Sequence, residues 1–189
     1  MQKIFKYSAS LSLTFCSIGF NAEAYAGDRT FNIRTAPVSD LIGIVNLEGD
    51  IAVSKRITLG PSYTGFNYKY KEIRFDSDAY GLRANYYLTR NVLEGGWIAS
   101  LSGSYGRFKI SKDINNVEYS ASVSTRFYTA LISYQAMWSH FNMTFGLGAS
   151  YFSLPSTIVG VGGADVAEID TSFASGVVPN AEFTLGWSF

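Results

Sequence analysis

The sequence predicts an all-β protein, an eight-stranded antiparallel up-and-down transmembrane β-barrel. Three observations predict it. Segments of about 9–13 residues alternate apolar with small polar side chains at period two, the mark of strands with one apolar and one polar face. Aromatic residues stand at both ends of the apolar faces, with Ala, Ile or Leu between them, as in two interfacial girdles around a lipid-embedded band. No apolar run after Ala26 approaches the roughly 20 residues that a membrane helix needs, so any embedding must be through strands.

The N-terminus supplies the address. Met1 to Ala26 carries Lys3 and Lys6, then an uncharged stretch from Tyr7 to Ala22, and ends Ala24-Tyr25-Ala26. A charged n-region, an apolar h-region and a small-x-small cleavage site read as a secretory signal peptide. Residue 15, before Cys16, is the bulky Phe15, so a lipoprotein signal is rejected. Residues 1–26 are therefore expected to be removed and residues 27–189 to form the barrel domain. Cleavage takes the only cysteine with it and leaves no disulfide framework, which suits an exported bacterial envelope protein. Losing Lys3, Lys6 and Glu23 from 15 basic and 15 acidic residues leaves 13 and 14, so charge makes no case for nucleic acid. With 14 Phe, 13 Tyr, 3 Trp and 18 Gly but only 4 Pro, the composition suits many strands and tight turns.

Element by element, residues 29–36 alternate Phe31, Ile33 and Thr35 with Asn32, Arg34 and Ala36, and Pro37-Val38-Ser39 is the expected bend after them. In 41–53, Leu41, Val45, Leu47 and Ile51 oppose Asn46, Glu48 and Asp50; residues 57–68 behave similarly. In 78–88, Tyr80, Leu82, Ala84, Tyr86 and Leu88 oppose Gly81, Arg83, Asn85 and Tyr87. In 97–108, Trp97, Ala99, Leu101, Gly103 and Tyr105 oppose Ile98, Ser100, Ser102 and Ser104. In 124–138 an apolar face runs from Tyr128 to Trp138, and in 141–152 from Phe141 to Tyr151. The last segment, 178–189, ends Phe183-Thr184-Leu185-Gly186-Trp187-Ser188-Phe189. A soluble barrel would reverse the faces, apolar inside and charged outside.

Connections set the count and the direction. Residues 54–56, 89–96 and 139–140 are short; 69–77, 109–123 and 153–177 are long and are expected to be outer loops. Short periplasmic turns and longer outer loops are the rule in such barrels. The last strand then descends from the long 153–177 loop and ends at the periplasm. Counting back, 41–53 also descends, and 29–36 must ascend before it, which makes eight strands.

The signal peptide, the eight alternating segments and the closing aromatic strand resemble the small eight-stranded outer-membrane barrels of the OmpX/Ail and opacity-protein type. The segments Asn46-Leu47-Glu48-Gly49-Asp50, Ile57-Thr58-Leu59-Gly60-Pro61, Arg83-Ala84-Asn85-Tyr86-Tyr87-Leu88 and Leu185-Gly186-Trp187-Ser188-Phe189 carry the likeness, which spans the whole mature chain. It implies a bacterial outer-membrane location. It also implies that Leu185, Trp187 and Phe189 form the signal read by the barrel-assembly machinery.

Eight strands enclose just enough room for side chains. On this register Arg34, Glu48, Asp50, Arg83 and Glu182 point inward and need partners, because an unpaired buried charge is costly. Arg34 and Glu182 would meet at the seam, Glu48 and Arg83 across the lumen. Such a set is either a salt-bridge plug that fixes register or part of a proton or ion path. The single His140 lies in a two-residue periplasmic turn beside Ser139, with no acid nearby in the chain, so no catalytic residue is assigned. One histidine and no mature cysteine leave no His/Cys metal site, and no cofactor is expected. The glycines of 160–163 lack the Lys-Ser/Thr of a phosphate loop, and the acids Asp165, Glu168 and Asp170 lack EF-hand spacing for calcium.

Specificity is expected in the outer loops. Lys69, Tyr70, Lys71, Arg74 and Phe75 interleave cations with aromatics, and Lys109 and Lys112 add two more cations. These residues form either a solvated rim facing an anionic leaflet or a contact for lipopolysaccharide phosphates or a host or other surface ligand. The expectation is a monomeric, non-catalytic barrel with a surface-interaction (adhesion) or envelope-integrity role, whose partners are outer-membrane lipid, lipopolysaccharide and the assembly machinery. A lipid-modifying enzyme and a narrow pore are the alternatives.

Overall fold

The computed structural model describes residues 29–189 apart from 42, 71–72, 115–116, 154–156, 163–164 and 171–174; the expected signal peptide, residues 1–26, lies outside them. Among the described residues ten strands and one helical turn follow in chain order: β1 (Phe31–Thr35), α1 (Pro37–Leu41), β2 (Ile44–Ala52), β3 (Ile57–Tyr70), β4 (Ile73–Tyr87), β5 (Gly96–Ile114), β6 (Val117–Trp138), β7 (Phe141–Ser153), β8 (Thr157–Gly162), β9 (Asp165–Asp170) and β10 (Gly176–Ser188). Eight of them close a ring in the order β1-β2-β3-β4-β5-β6-β7-β10, each antiparallel to the next, with β10 returning to β1. The eight-stranded up-and-down barrel read from alternation is the observed fold.

Both faces follow the period-two pattern, and their burial is inverted relative to a soluble protein. Leu82, Leu101 and Leu147 are 71%, 67% and 71% exposed on the outside, whereas Asn32, Thr58, Asn142 and Ser188 are 0% exposed inside. Aromatic rows bound the apolar belt. Towards one end Tyr63, Tyr80 and Tyr105 are paired across β3, β4 and β5, and Tyr128 is paired with Tyr151 across β6 and β7. Towards the other end Trp97, Tyr134, Phe145 and Phe183 follow one another across β5, β6, β7 and β10. The Trp97–Tyr134 and Phe145–Phe183 ring centroids are 5.4 Å and 4.7 Å apart. From Tyr128 to Trp138 the strand rises roughly 33 Å at about 3.3 Å per residue. At the usual tilt of about 40° this is roughly 25 Å along the barrel axis, the height of a lipid-facing band.

The connections differ from the sequence reading in four places. Residues 69–77 and 109–123, expected to be loops, are mostly strand: β3 and β4 pair out to Tyr70↔Ile73, and β5 and β6 out to Ile114↔Val117. In 153–177, β8 and β9 form a hairpin that joins the barrel sheet through Ser120↔Val161 and Ala121↔Gly160. Backbone pairing continues past the apolar belt here, where the sequence no longer alternates apolar with polar residues. The bend at Pro37-Val38-Ser39 is a helical turn running to Leu41, so β2 starts at Ile44 rather than at 41. Proline opens that turn, where its missing N–H costs nothing. Asp40 anchors it by accepting hydrogen bonds from the Thr35 hydroxyl (2.9 Å) and the Asn46 amide (3.4 Å).

The end carrying Ser54-Lys55-Arg56, 88–95 and 139–140 is hereafter the turn end, and the opposite one the hairpin end. The 88–95 segment does more than connect. Val92 and Leu93 are buried and pack with Ala52, Tyr87, Ile98 and Met137 into a small apolar cluster. Leu93 adopts φ 57°, the left-handed region that a Leu rarely occupies. The Val92 amide donates to the Lys55 carbonyl (3.0 Å), and Arg29 Nη1 donates to the Leu93 carbonyl (3.2 Å). This cluster closes the turn end.

Candidate functional site

Above that apolar stopper the lumen is filled by polar side chains that hydrogen-bond from wall to wall. Asn142 Nδ2 donates to Asn32 Oδ1 (2.8 Å) and Ser188 Oγ (3.1 Å). Gln135 Nε2 donates to Asn142 Oδ1 (3.3 Å), and the Tyr87 hydroxyl donates to Gln135 Oε1 (3.4 Å). Strands on opposite sides of the ring are thereby tied together.

The next layer is charged, and it brings together the five residues read as lumen charges. Arg34 lies 2.8 Å from Glu48, 3.0 Å from Asp50 and 3.6 Å from Glu182. Arg83 lies 3.1 Å from Glu48 and 2.7 Å from Glu182, and it also donates to Asn85 (2.9 Å) and Ser100 (3.1 Å). Asp50 accepts further hydrogen bonds from Asn85 Nδ2 (2.7 Å) and Asn32 Nδ2 (3.2 Å). Both guanidiniums are nearly inaccessible to solvent. Glycine makes room for Arg34: a Cβ on Gly186, its cross-strand partner in β10, would lie 2.7 Å from Arg34 Cγ.

From this layer a cavity opens towards the hairpin end. Its lumen-facing wall includes Asn46, Ser62, Thr64, Ser102, Thr129 and Asn180, and Glu48, Arg83 and Glu182 form its floor. The whole space is about 1100 Å³, part of it a shallow outer groove beside Tyr134, Phe145 and Phe183. The lumen is thus a closed cup, open at the hairpin end and stoppered at the turn end.

The residues read as outer-loop contacts lie on the sheet that rises above the tyrosine row. Lys69 and Arg74 are exposed cross-strand partners near the β3–β4 tip. Phe75 is half-buried, its ring 6.4 Å from Phe108. Lys109 is half-buried opposite Asp76, which accepts a hydrogen bond from Asn67. Tyr70 belongs to β3 and Lys112 to β5, while Lys71 lies outside the described residues. Asp78 accepts a hydrogen bond from the Tyr63 hydroxyl (2.9 Å), and Arg107 is its cross-strand neighbour. Charge therefore begins on the outer face one step beyond the tyrosines. Arg107 and Arg126 are both exposed there, and sequence reasoning had not singled them out. Their spacing from Tyr105 and Tyr128, two residues along the same face, is the signal that could have found them.

At the turn end, Trp187 and Phe189 lie on the outer face and Leu185 pairs with Thr35 across the seam. The Phe189 carbonyl accepts from the Thr30 amide (2.7 Å) and the Phe31 amide (3.2 Å). His140 sits in the Ser139-His140 turn with Nδ1 2.7 Å from the Ser188 carbonyl and its ring stacked beside Trp187 at 6.0 Å. That imidazole is held by backbone and aromatic contacts.

No family model matches this chain, and no curated protein matches it. Among solved structures it is similar to a bacterial barrel domain. This is the crystal structure of the N-terminal β-barrel domain of Pseudomonas aeruginosa OprF, at 12% identity and a TM-score of 0.46, covering 85% of this chain and 98% of that one.

Proposed function

We propose that the protein is an integral bacterial outer-membrane barrel, non-catalytic and monomeric, whose work is done by the sheet standing above the membrane. One observation carries the reading: the apolar surface is outside, about a bilayer's hydrocarbon height tall and bounded by aromatic rows, while the polar surface is inside. The hairpin end faces the cell exterior in this reading. There the β3–β4, β5–β6 and β8–β9 hairpins serve surface interaction, as adhesion or binding of a host or other surface ligand, or support envelope integrity. Arg107, Arg126, Lys69 and Arg74 stand where lipopolysaccharide phosphates would lie, and the tyrosines below them sit at the interface. The closing residues Leu185, Trp187 and Phe189 present the strand to the barrel-assembly machinery. The closed turn end argues for a plugged rather than a conducting lumen.

The test has two stages. Fractionation should place the mature chain, cleaved after Ala26 by mass, in the outer membrane with heat-modifiable mobility on SDS gels. A chain recovered in soluble periplasmic extract would end the proposal. Deleting residues 69–77 and 109–123 should then abolish binding to cells, matrix or serum proteins while heat-modifiability is kept. Undiminished binding by that variant would remove the hairpins as the interacting surface.

A further inference from the structure

The ring is closed by strand pairing over only part of its seam. β1 pairs with β10 from Asn32↔Ser188 to Thr35↔Leu185, whereas β10 begins at Gly176. The Phe189 amide donates to the Phe31 carbonyl (2.7 Å), so by the alternation of an antiparallel ladder Leu185, Phe183, Ala181, Pro179 and Val177 also turn their backbone groups towards β1. Pro37, which would continue the register opposite Phe183, has no N–H and opens α1 instead. Among the described residues the amides of Phe183, Ala181 and Val177 find no hydrogen-bond partner on that side. The facing edge of β2 is capped by side chains: the Asn46 carbonyl accepts from the Thr35 hydroxyl (2.7 Å), and its amide donates to Asp40 (3.4 Å). The bare stretch of β10 lies between the aromatic rows, since Phe183 belongs to one and Val177 is opposite Tyr151 of the other. In a bilayer an unsatisfied backbone edge is costly at that depth, where lipid offers no hydrogen bonds.

The same stretch borders the cup. Residues 180–184 of β10 and, facing them, Ala36, Val38 and Ser39 line one continuous space. Its inner side carries the hydroxyls and amides of the lumen, and its outer side carries Tyr134, Phe145, Leu147 and Phe183. A slot between α1 and β10 thus joins the polar cup to the apolar outer groove through the barrel wall.

We propose that this lateral slot binds a single-chain amphiphile, with its hydrocarbon chain in the outer groove and its polar head in the cup. The site rests on the outer-membrane reading of the apolar surface. Its two-sided lining matches such a molecule end for end. The bare amides of Ala181 and Phe183 stand at the junction, where an ester or hydroxyl oxygen of the ligand accepts from them. Below the cup two guanidiniums face three carboxylates, so a head without net negative charge fits. The volume, about 1100 Å³, is of the size that small-molecule sites have. A strand added from another chain fits less well, because Pro179 takes a donor out of the edge it would pair with.

The test uses the isotope-labelled barrel refolded into phosphatidylcholine nanodiscs, with heat-modifiable mobility reporting insertion. Failure to insert would overturn the outer-membrane reading and this site with it. In the inserted barrel the amides of Ala181 and Phe183 should exchange with deuterium at least about tenfold faster than that of Glu182, which faces β7. Myristoyl lysophosphatidylcholine is then titrated, with phosphocholine as the head alone and tetradecane as the chain alone. The Ala181 and Phe183 amides and the Asn46 and Asn180 side-chain amides should shift together and saturate at about one equivalent of the whole amphiphile. Neither half should move all four. Ala181→Phe, at an exposed position on the slot, should remain heat-modifiable and lose the saturable shift; Ser122→Ala, on a protruding hairpin, should keep it. Shifts that do not saturate, an equal response to tetradecane alone, or an undiminished response in Ala181→Phe would each overturn the proposal. If that variant does not fold, exchange in the unaltered barrel decides: rates at Ala181 and Phe183 equal to that of Glu182 overturn the open edge, and fast rates that the amphiphile slows support it. Protection that grows with protein concentration would assign the edge to a strand of a second copy and overturn the amphiphile.

Discussion

Replacing Arg34 by methionine tests the lumen most directly, because it removes one charge and leaves similar bulk. Arg34 is 2% exposed and sits within 2.8–3.6 Å of Glu48, Asp50 and Glu182. Without it Arg83 alone faces three carboxylates, and Asp50 keeps only the amide donors of Asn32 and Asn85. Removing one partner of a buried ion pair costs about 3–5 kcal/mol, since the remaining charge stays buried. At about 1.4 kcal/mol per decade this is roughly two to four orders of magnitude in the folding equilibrium. Adding Asp50→Asn leaves Arg83 against Glu48 and Glu182, again one excess negative charge as in the native lumen. The double variant should therefore be more stable than Arg34→Met alone. Urea unfolding of the barrel in lipid vesicles, read by heat-modifiable mobility, measures all four corners of the cycle. A cost below about 1 kcal/mol for the single change, or additivity of the two within about 0.5 kcal/mol, would refute an energetically coupled network.

Other substitutions separate belt, backbone and stopper. Arginine at Leu147 or Leu101 should cost about 2–4 kcal/mol in vesicles, as expected near a bilayer midplane, whereas Ser122→Arg, beyond the tyrosine row, should change stability by less than about 0.5 kcal/mol. Equal costs at the two levels would mean that the belt is misplaced. Gly60→Ala should abolish the heat-modifiable form, because its Cβ would lie 1.5 Å from the Gly49 carbonyl oxygen, an obstacle of backbone rather than of a movable side chain. The matching change at Gly103, where the nearest atom is Tyr128 Cδ1 at 3.6 Å, should leave the barrel intact and so controls for a general intolerance of alanine. Leu93→Ala should lower stability by about 2–5 kcal/mol, the cost of emptying a buried leucine site, measured by the same urea titration. A change within error would show that the 88–95 segment does not close the turn end.

What the sequence disclosed tracks where a two-sided environment imposes a period. Between the aromatic rows every strand has an outward apolar face and an inward polar one, so Leu82, Ala84 and Tyr86 alternate with Arg83, Asn85 and Tyr87 without ambiguity. Even the five-residue β1 was legible, because Asn32 and Arg34 stand out among outward Phe31 and Ile33. Above the tyrosines Lys69, Arg74, Asp76 and Lys109 carry no apolar–polar phase, so strand and loop look alike in sequence there. The Val92-Leu93 stopper was missed for another reason. Its burial depends on a Leu at φ 57° folding back beneath the barrel, a tertiary contact with no local period. The buried hydroxyls of Ser133, Thr144 and Thr184, which find no hydrogen-bond partner among the described residues, were equally hidden, since a small polar residue on an inward face is ordinary until its partners are counted.

The seam is where these layers of argument meet. β1 joins β10 over only four residue pairs, Asn32↔Ser188 to Thr35↔Leu185, so backbone pairing alone specifies closure weakly. A slip of one residue would turn Arg34 out to the apolar face and Ile33 into the lumen. Arg34 opposes that slip twice over, and Asn32 a third time. The Arg34 guanidinium requires Glu48 on β2 and Glu182 on β10, its stem requires the gap left by Gly186, and Asn32 one step below must reach both Asn142 and Asp50. Buried ion pairs often contribute little net stability once their desolvation is counted, so the physical return on this one is best sought in register. A barrel closes only when its first and last strands meet in one alignment. The short first strand is tolerable because its two inward polar side chains reject the alternatives.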